Sequence, residues 1–347
     1  MNIEKSKIVE KLSKLKSLTT SKATGGSEGI LLQNNCLVAN NGEITVMAKL
    51  DIVTMETFVI PRLAIDMIGN LPAGDIEITE KDGFIHMKSG SIKNKCATIS
   101  ADTFPKISAI GTTTSEAKID GKVLLDSLNS VSYAAAGNDS KPTFAGVLLE
   151  AADNNLNLVA LDGFRSSWNK TPYEANFKVI IPQNTVKKLI DLELSGDVRL
   201  AWNENSIVFK NAEYGVHSKV ISGEFFDYPK IYTQSENSGK FNKKAIAEAI
   251  SRAMLCIGPT DKKALILSFS GNKLTISTKQ SVSEYEETIE LSEAVKEDIT
   301  IGISGKFLLD AIKSFPDGTI DVQLRTPVDP LTMSNSALTA LVLPVRL

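Results

Sequence analysis

Residues 63–78, LAIDMIGNLPAGDIEI, have two counterparts further along the chain: residues 185–200, TVKKLIDLELSGDVRL, and residues 307–322, FLLDAIKSFPDGTIDV. Each copy has apolar residues at helical spacing before a glycine and alternating apolar residues after it. The glycine, which is Gly74, Gly196 or Gly318, permits the left-handed or turn conformation needed between a helix and a strand. Each copy therefore predicts a short helix, a turn and a strand.

The three copies keep one register. Gly196 follows Gly74 by 122 residues, and Gly318 follows Gly196 by the same number. Other apolar positions keep this step: Val59, Ile181 and Ile303 before the helix, Ile68, Ile190 and Ile312 on it, and Ile76, Val198 and Ile320 in the strand. One such match arises easily by chance, but three in a fixed register indicate an internal repeat, which determines the architecture.

An amphipathic helix and two strand-like segments precede each copy. The predicted helices carry Ile8, Val9, Leu12 and Leu15; Val123, Leu124, Leu128 and Val131; and Ala245, Ile246, Ile250 and Ala253. The strand-like pairs are 30–32 with 44–47, 147–149 with 156–160, and 265–269 with 274–276, with turn residues at 40–42, 153–155 and 270–272. The predicted fold class is α+β, with three repeated domains at 1–116, 117–235 and 236–347, separated by polar linkers at 112–115 and 234–239.

The composition is that of an ordinary globular protein large enough for several cores, with 347 residues, 42% of them hydrophobic. The formal net charge of −3 argues against a protein that coats nucleic acid with its whole surface, but lysines on one face and acids on another would give the same sum. Cys36, Cys96 and Cys256 lie far apart and indicate neither a zinc site nor a disulfide framework. The N-terminus lacks a secretion signal and no apolar run suits a bilayer, so we expect a cytoplasmic protein with no membrane partner.

No catalytic, metal or cofactor motif is recognisable. His86 and His217 have no cluster of possible metal ligands around them in the sequence, and we interpret both as structural histidines. Neither a phosphate-binding loop nor a GxSxG elbow occurs. We therefore expect no enzyme activity, no metal and no cofactor.

Three domains in a row leave open sheet edges at both ends, and such edges invite pairing with a second copy. Head-to-tail pairing of two chains would close a six-domain ring with helices inside and sheets outside, while an open array is the alternative. Cations recur on the predicted helices, where they either solvate a helix face or contact phosphates of any sequence. The predicted DNA-facing set is Lys7, Lys11, Lys14, Arg62, Lys141, Lys187, Lys188, Lys243, Lys244, Arg252, Lys306 and Lys313.

Four segments carry a family resemblance. Residues 144–150 and 158–165 resemble a strand pair that ends in a TDGHRL-like turn, residues 221–231 resemble a GxFPDY segment, and residues 341–347 resemble a C-terminal MPMRL. Residues 104–107, FPKI, resemble the FPxL that closes a first domain. Together they resemble the β subunit of bacterial DNA polymerase III, the sliding clamp, in a divergent, phage or mobile-element form.

The resemblance implies a homodimeric ring that encircles duplex DNA and is loaded by a separate ATPase. It also implies an apolar cleft for a short peptide from polymerases, the clamp loader and other proteins. Carried over residue by residue, the cleft comprises Phe144, Leu161, Gly163, Arg165, Phe226, Ile231, Leu341 and Leu343. Four positions depart from the family motif: Leu161 replaces Thr, Phe164 His, Ser166 Leu and Phe226 Pro. The dimer contact implied by the resemblance joins Leu255 and Ile257 to Ile99 of the other chain.

Two alternatives belong to other classes of protein. A clamp-like scaffold or decoy would bind clamp-binding proteins without encircling DNA. An enzyme would have its site at a domain junction, where pockets often lie.

Overall fold

A computed structural model describes residues 1–19, 28–105, 115–137, 141–257 and 264–346. The chain forms two compact units: unit 1 comprises Met1–Leu125 and Lys187–Val220, and unit 2 comprises Asp126–Val186 and Ile221–Leu347. Six α-helices lie within the described residues: α1 Lys5–Lys16, α2 Arg62–Gly69, α3 Gly121–Ser132, α4 Gln183–Leu192, α5 Lys243–Met254 and α6 Gly305–Ser314. All six helices were predicted from the apolar spacing.

The strands of unit 1 form two antiparallel sheets, as far as its residues are described. The strands are β1 Asn2–Glu4, β2 Gly29–Gln33, β3 Cys36–Asn40, β4 Ile44–Lys49, β5 Phe58–Pro61, β6 Asp75–Lys81, β7 Phe84–Ser89, β8 Ile92–Ala97, β9 Ser115–Asp120, β14 Asp197–Trp202, β15 Ser206–Lys210 and β16 Tyr214–Lys219. One sheet has the order β5-β2-β3-β4-β16-β15-β14-β9, and the other has the order β1-β6-β7-β8.

Unit 2 repeats this arrangement in its described residues. Its strands are β10 Gly146–Ala152, β11 Asn155–Leu161, β12 Arg165–Pro172, β13 Phe177–Pro182, β17 Ser238–Asn242, β18 Leu265–Ser270, β19 Lys273–Lys279, β20 Glu284–Glu290, β21 Ile299–Ile303, β22 Thr319–Gln323, β23 Leu331–Ser334 and β24 Leu338–Val342. The eight-stranded sheet has the order β13-β10-β11-β12-β24-β23-β22-β17, and the four-stranded sheet has the order β20-β19-β18-β21.

The glycine of each repeat occupies the predicted conformation. Gly74, Gly196 and Gly318 have φ angles of +120°, +66° and +128°, a region that side chains with a Cβ rarely adopt. Their carbonyls accept equivalent hydrogen bonds from the first residue of a helix: from Lys5 at 2.9 Å, from Gly121 at 2.8 Å and from Lys243 at 2.9 Å. The same bond in all three copies ties the end of the repeated turn to the start of the preceding amphipathic helix.

Each amphipathic helix buries its apolar stripe. In α1, Ile8, Leu12 and Leu15 are buried, and in α5 the same is true of Ile246 and Ile250. Burying one such aliphatic side chain contributes about 1.5–3 kcal/mol, so these stripes hold the helices on their sheets.

The first predicted hairpin was wrong in one respect. Residues 30–32 and 44–47 do not pair with each other, because β3 lies between them and pairs with both β2 and β4. The turn between β2 and β3 uses Asn34 and Asn35, with φ of 50° and 61°, and the predicted turn at 40–42 joins β3 to β4. Asparagine tolerates this left-handed conformation better than most residues, so the Asn-Asn pair could have indicated the turn between β2 and β3.

The division into three domains remains a prediction. The eight-stranded sheets run across its boundaries, because β4 pairs with β16 in unit 1 and β12 pairs with β24 in unit 2. Most of the first predicted linker, residues 112–114, lies outside the described residues.

Candidate functional site

All eight predicted cleft residues line a single cavity of about 460 Å³ in unit 2. The cavity is also lined by Lys141, Phe164, Ser166, Thr233, Arg325 and Pro330. The sequence motifs that lie far apart along the chain are therefore brought together. An apolar cavity with a few polar groups is typical of a site for a small ligand or a peptide.

One wall of the cleft is the turn between β11 and β12. The Asp162 carboxylate accepts hydrogen bonds from the backbone NH of Phe164 at 2.9 Å and of Arg165 at 3.0 Å. Gly163 has a φ of +88°, which allows the chain to reverse direction there. Leu161 precedes this turn and is buried, whereas the Phe164 side chain is 62% exposed.

The second wall is the C-terminal strand β24. Leu341 lies opposite Ser166 in the antiparallel register, and the backbone NH of Leu343 donates to the carbonyl of Phe164 at 2.8 Å. This pairing places both leucines beside the turn. Leu347, the last residue of the motif that resembles MPMRL, lies outside the described residues.

The third wall comes from the segment around the short 3-10 helix Tyr228–Ile231. Phe225 and Tyr228 are buried in an apolar cluster with Phe144 and Leu161. Phe226, which stands where the family motif has proline, is 44% exposed at the cleft. Because Phe225 already fills the core, Phe226 is left to add aromatic surface to the cleft.

Arg165 is held from several sides. Its guanidinium donates to Asp162 at 2.9 Å and to Asp310 of α6 at 2.7 Å, and it lies 4.5 Å from the Phe307 ring centroid. The ring of Tyr133 lies 5.4 Å away, and burial raises the pKa of the Tyr133 hydroxyl to about 12, so it stays neutral. Sequence analysis missed Asp310, Phe307 and Tyr133, because no local pattern links them to Arg165.

A hydroxyl pair lies beneath the apolar walls. The Ser166 Oγ lies 2.7 Å from the Tyr232 hydroxyl, and burial raises the pKa of Tyr232. Trp168 packs against the rings of Tyr228 and Tyr232, with centroid separations of 5.1 and 5.4 Å. The replacement of the motif's leucine by Ser166 therefore introduces a satisfied polar contact rather than an isolated hydroxyl.

The predicted DNA-facing cations differ in exposure. The side chains that the structure leaves exposed are those of Lys7, Arg62, Lys141, Lys187, Lys244, Arg252, Lys306 and Lys313. Arg252 forms a two-point ion pair with Glu287, Lys243 is half-buried beside Asp317, and Arg62 donates to the Thr19 carbonyl. Lys141 lines the cavity of unit 2 that contains the predicted cleft residues.

The structure removes Lys188 from the exposed set, which corrects the sequence-based expectation. Its side chain is 6% exposed, and its ammonium donates to the Lys14 carbonyl, the Ser17 hydroxyl and the Asp191 carboxylate. An ammonium group has three donors, so none is left for a phosphate. Lys11 and Lys14 are also largely covered, at 15% and 19% exposure, and both pair with glutamates.

The predicted dimer-contact residues lie at two surfaces. Leu255, directly after α5, is 86% exposed, and Ile257 is buried. Ile99 lines a cavity of about 480 Å³ in unit 1, together with Phe58, Ala101 and Asp102. A single exposed leucine is common on a protein surface and does not by itself indicate an interface.

A metal-ligand cluster and a membrane-spanning helix are both absent from the part of the chain that the structure describes. No cluster of three or more His, Cys, Asp or Glu side chains there is arranged to hold a metal ion. None of the helices in these ranges has both the length and the apolar character needed to cross a membrane.

Two family profiles match the chain: the central domain of the DNA polymerase III beta subunit at residues 118–227 and its C-terminal domain at residues 231–346. The chain belongs to the DNA polymerase III beta subunit family. This match confirms the predicted family, the predicted α+β clamp fold and the predicted function of a DNA sliding clamp.

Related sequences and structures agree. The beta sliding clamp of Synechococcus elongatus is 24% identical over 338 residues, covering 92% of this chain and 86% of the relative. That of Bacillus subtilis is 23% identical, covering 82% and 79%. Among solved structures, a putative DNA polymerase III beta subunit from Eubacterium rectale has a TM-score of 0.91 at 22% identity, covering 99% of this chain and 98% of its own. A Pseudomonas aeruginosa sliding clamp bound to griselimycin has a TM-score of 0.91 at 20% identity, covering 100% and 99%.

Proposed function

We propose that two copies of this chain pair head to tail, encircle duplex DNA as a six-domain ring and tether a polymerase and other proteins through the peptide cleft. The observation that carries the proposal is a strand-to-strand join that the chain uses twice within itself. Two further strand edges of the chain, those of β8 and β20, would allow the same pairing between two copies.

The two internal joins share their details. In unit 1, Ile44 of β4 lies opposite Ser218 of β16, after a turn in which the Asn41 NH donates to the Ile44 carbonyl at 3.2 Å. In unit 2, Arg165 of β12 lies opposite Val342 of β24, after a turn with the equivalent bond from Asp162, also at 3.2 Å. The turn glycines, Gly42 and Gly163, have φ angles of +89° and +88°.

The third turn of this kind has no partner strand within the described residues. The Gln280 NH donates to the Ser283 carbonyl at 2.8 Å, and this turn leads into β20, an edge strand. The equivalent of β16 in the first repeat is β8, which is also an edge strand, since Cys96 precedes Ser218 by the repeat step of 122 residues. An unpaired strand edge can add a strand from another chain.

If β8 of one chain pairs with β20 of the other in the way that β16 pairs with β4, the register of the pairing is fixed. Cys96 lies opposite Ser283, so Lys95 lies opposite Glu284 and Lys93 opposite Glu286. All four of these charged side chains are exposed in the single chain. Opposite charges directly across antiparallel strands are favourable by roughly 0.2–1 kcal/mol for each pair, and like charges there are unfavourable. The two edges are therefore complementary in charge and in direction.

The predicted apolar contact lies at the same end of these strands. The Ser283 hydroxyl donates to the Cys256 carbonyl at 3.0 Å, which places the exposed Leu255 near the start of β20. Ile99 follows Cys96 by three residues and lines the cavity of about 480 Å³. We assign Leu255 to this cavity of the partner subunit, where it would lose its contact with water.

The cleft supports the tethering part of the proposal. A few buried apolar and aromatic anchors carry most of the binding energy of a short peptide, and the cleft offers such surfaces on three walls. The exposed Phe164 and Phe226 add aromatic surface at this cleft. The solved clamp of the same fold that holds griselimycin is consistent with a ligand-binding clamp surface.

The proposed role needs neither catalysis nor a cofactor from this chain, and we place the protein in the cytoplasm with its DNA. Exposed helix lysines supply contacts to phosphates of any sequence. Such contacts are weak and sensitive to salt, and the closed ring would supply persistence.

Two measurements test the ring. The purified chain should have a native mass of twice 37.5 kDa, and it should persist on nicked circular DNA but dissociate once that DNA is linearised. Equal retention on the two DNA forms would contradict encirclement. A scaffold or decoy is distinguished by Lys7→Glu with Lys187→Glu, which should weaken the affinity of a clamp for linear duplex DNA, whereas Lys118→Glu with Lys170→Glu, on exposed strand positions, should not.

A further inference from the structure

We infer that Glu193 and Glu213 weaken the contact between this chain and DNA phosphates and thereby keep the clamp mobile. The inference rests on the proposed encirclement of DNA, and it concerns the face of unit 1 that carries α1. It assigns a role to two carboxylates on that face rather than to its cations.

The ion pairs of α1 have their acidic member outermost. The Lys14 ammonium lies 3.0 Å from the Glu193 carboxylate, and the side-chain exposures are 19% for the lysine and 78% for the glutamate. The Lys11 ammonium lies 3.2 Å from the Glu213 carboxylate, with exposures of 15% and 63%. A phosphate that approaches either pair meets the carboxylate before it meets the ammonium.

Further contacts hold both ammonium groups in place. Lys11 donates to the Lys49 carbonyl at 2.7 Å and lies over the Tyr214 ring at 5.4 Å. Lys14 has a second carboxylate, that of Glu10, at 3.8 Å. Burial lowers the pKa of Lys14, but its contacts with Glu193 and other groups outweigh burial and raise it overall, so the Lys14 ammonium stays charged at neutral pH.

The consequence for DNA is electrostatic. Each phosphate that a cation neutralises releases counterions and contributes roughly 0.9 to the slope of log affinity against log salt. Lys11 and Lys14 are already neutralised by carboxylates, so they add little to this slope, and the exposed carboxylates repel phosphates within about 10 Å. Lys7, on the same helix, is exposed and remains available for a weak contact.

Such an arrangement suits a tether that must move. If every lysine of α1 met a phosphate directly, the summed contacts would resist translation along DNA. Glutamates that compete with phosphates for the same ammonium groups lower the barrier between successive positions, while the closed ring prevents loss from the DNA.

The test uses one double variant, Glu193→Gln with Glu213→Gln, and compares it with the unmodified protein. The first readout is affinity for a short linear duplex, measured by fluorescence anisotropy over a range of salt. The second is the diffusion constant of the loaded clamp on long DNA. We expect on the order of tenfold tighter binding at low salt, a steeper salt dependence and slower diffusion.

Two controls separate this effect from net charge and from misfolding. Asp153→Asn with Glu204→Gln makes the same change in net charge at exposed β-turns and should leave duplex affinity unchanged. Glu193→Asp with Glu213→Asp keeps the charge and should bind DNA like the parent. Thermal melting of each variant reports whether the fold is intact.

Unchanged duplex affinity in the folded Gln variant would overturn the inference, and so would equal tightening in the Asp153 and Glu204 control. Failure of the unmodified protein to persist on circular DNA would instead contradict the proposed encirclement. The linear-duplex measurement needs no ring, so the two failures are distinguishable.

Discussion

The guanidinium of Arg165 lies 2.7 Å from the carboxylate of Asp310, although 145 residues separate them along the chain. This ion pair connects the turn beside the cavity of unit 2 to helix α6. The Arg165 side chain is 11% exposed, so its charge depends on protein partners rather than on water. We predict that Asp310→Asn lowers the free energy of unfolding by about 1–2 kcal/mol, because the arginine keeps Asp162 but loses its second carboxylate.

Asp317→Asn is the matched control for this change. Asp317 also pairs with a cation, Lys243 at 3.2 Å, but its side chain is fully exposed. An exposed pair contributes about 0–1 kcal/mol, so urea denaturation should hardly shift. Equal losses of unfolding free energy in the two variants would show that the ion pair between Asp310 and Arg165 stabilises the fold no more than an exposed pair does.

The cleft could be predicted from the sequence because its residues lie within recognisable segments. Leu161, Gly163 and Arg165 belong to one turn motif, and Leu341 and Leu343 belong to another. The pairing of β12 with β24 then brings the two motifs together. By contrast, nothing near Asp310 or Tyr133 indicates that either contacts Arg165, since such contacts depend on packing between distant segments.

The predicted DNA-facing lysines show the limit of helical periodicity. Spacing correctly placed Lys11 and Lys14 on the same helix as the buried stripe, but it could not reveal their partners. Glu193 and Glu213 lie 179 and 202 residues away from those lysines in the chain. Exposure of a long cationic side chain therefore follows from tertiary contacts, which a single helix does not encode.

Unit 1 contains the counterpart of the turn beside this cavity, between β3 and β4. The backbone is the same there, because the Lys219 NH donates to the Glu43 carbonyl at 3.1 Å, as Leu343 does to Phe164. The side chains differ: His217 occupies the position of Leu341, and Lys219 that of Leu343. A peptide would find charged and polar groups in place of apolar anchors.

The second prediction concerns the proposed edge-to-edge contact. Lys93→Glu with Lys95→Glu should raise the dimer dissociation constant at least tenfold. Each substitution places a glutamate directly opposite Glu286 or Glu284 of the other chain, and like charges there are unfavourable. Glu284→Lys with Glu286→Lys should have the same effect. Sedimentation of each variant at several concentrations measures the change.

Mixing the two charge-reversed variants supplies the decisive comparison. Both interfaces of a mixed ring pair opposite charges, one with the charges reversed and one as in the parent, so a mixture should form more dimer than either variant alone. A mixture that stays as dissociated as its components would argue against the register of Lys95 opposite Glu284.

The third prediction concerns Gly163, whose φ is +88°. Nothing lies within 4 Å of a Cβ added there, so Gly163→Ala meets no steric barrier and its cost is the backbone conformation alone. We expect a loss of about 1 kcal/mol in the free energy of unfolding. Gly69→Ala, at a helical position that is equally open, should be neutral or slightly stabilising, and thermal denaturation distinguishes the two.

The fourth prediction follows from the ion pair between Glu287 and Arg252. Hydrogen bonds from Arg252 and then Tyr285 lower the pKa of Glu287 below its ordinary value of 4.5. A carboxyl group whose pKa is lower in the folded state contributes its full stability above the unfolded pKa and loses it as pH falls through the folded pKa. Glu287→Gln should therefore cost about 1 kcal/mol at pH 7, since the pair is partly exposed.

The difference between Glu287→Gln and its parent should shrink as pH falls below 4.5, because protonation of Glu287 makes the two proteins alike in charge. Urea denaturation at pH 7, 5, 4 and 3 would follow this convergence. Both proteins should carry Lys93→Glu and Lys95→Glu, so that dimerisation does not contribute. A difference that stays constant down to pH 3 would mean that the loss at Glu287 comes from packing, and that its ion pair with Arg252 contributes nothing to stability.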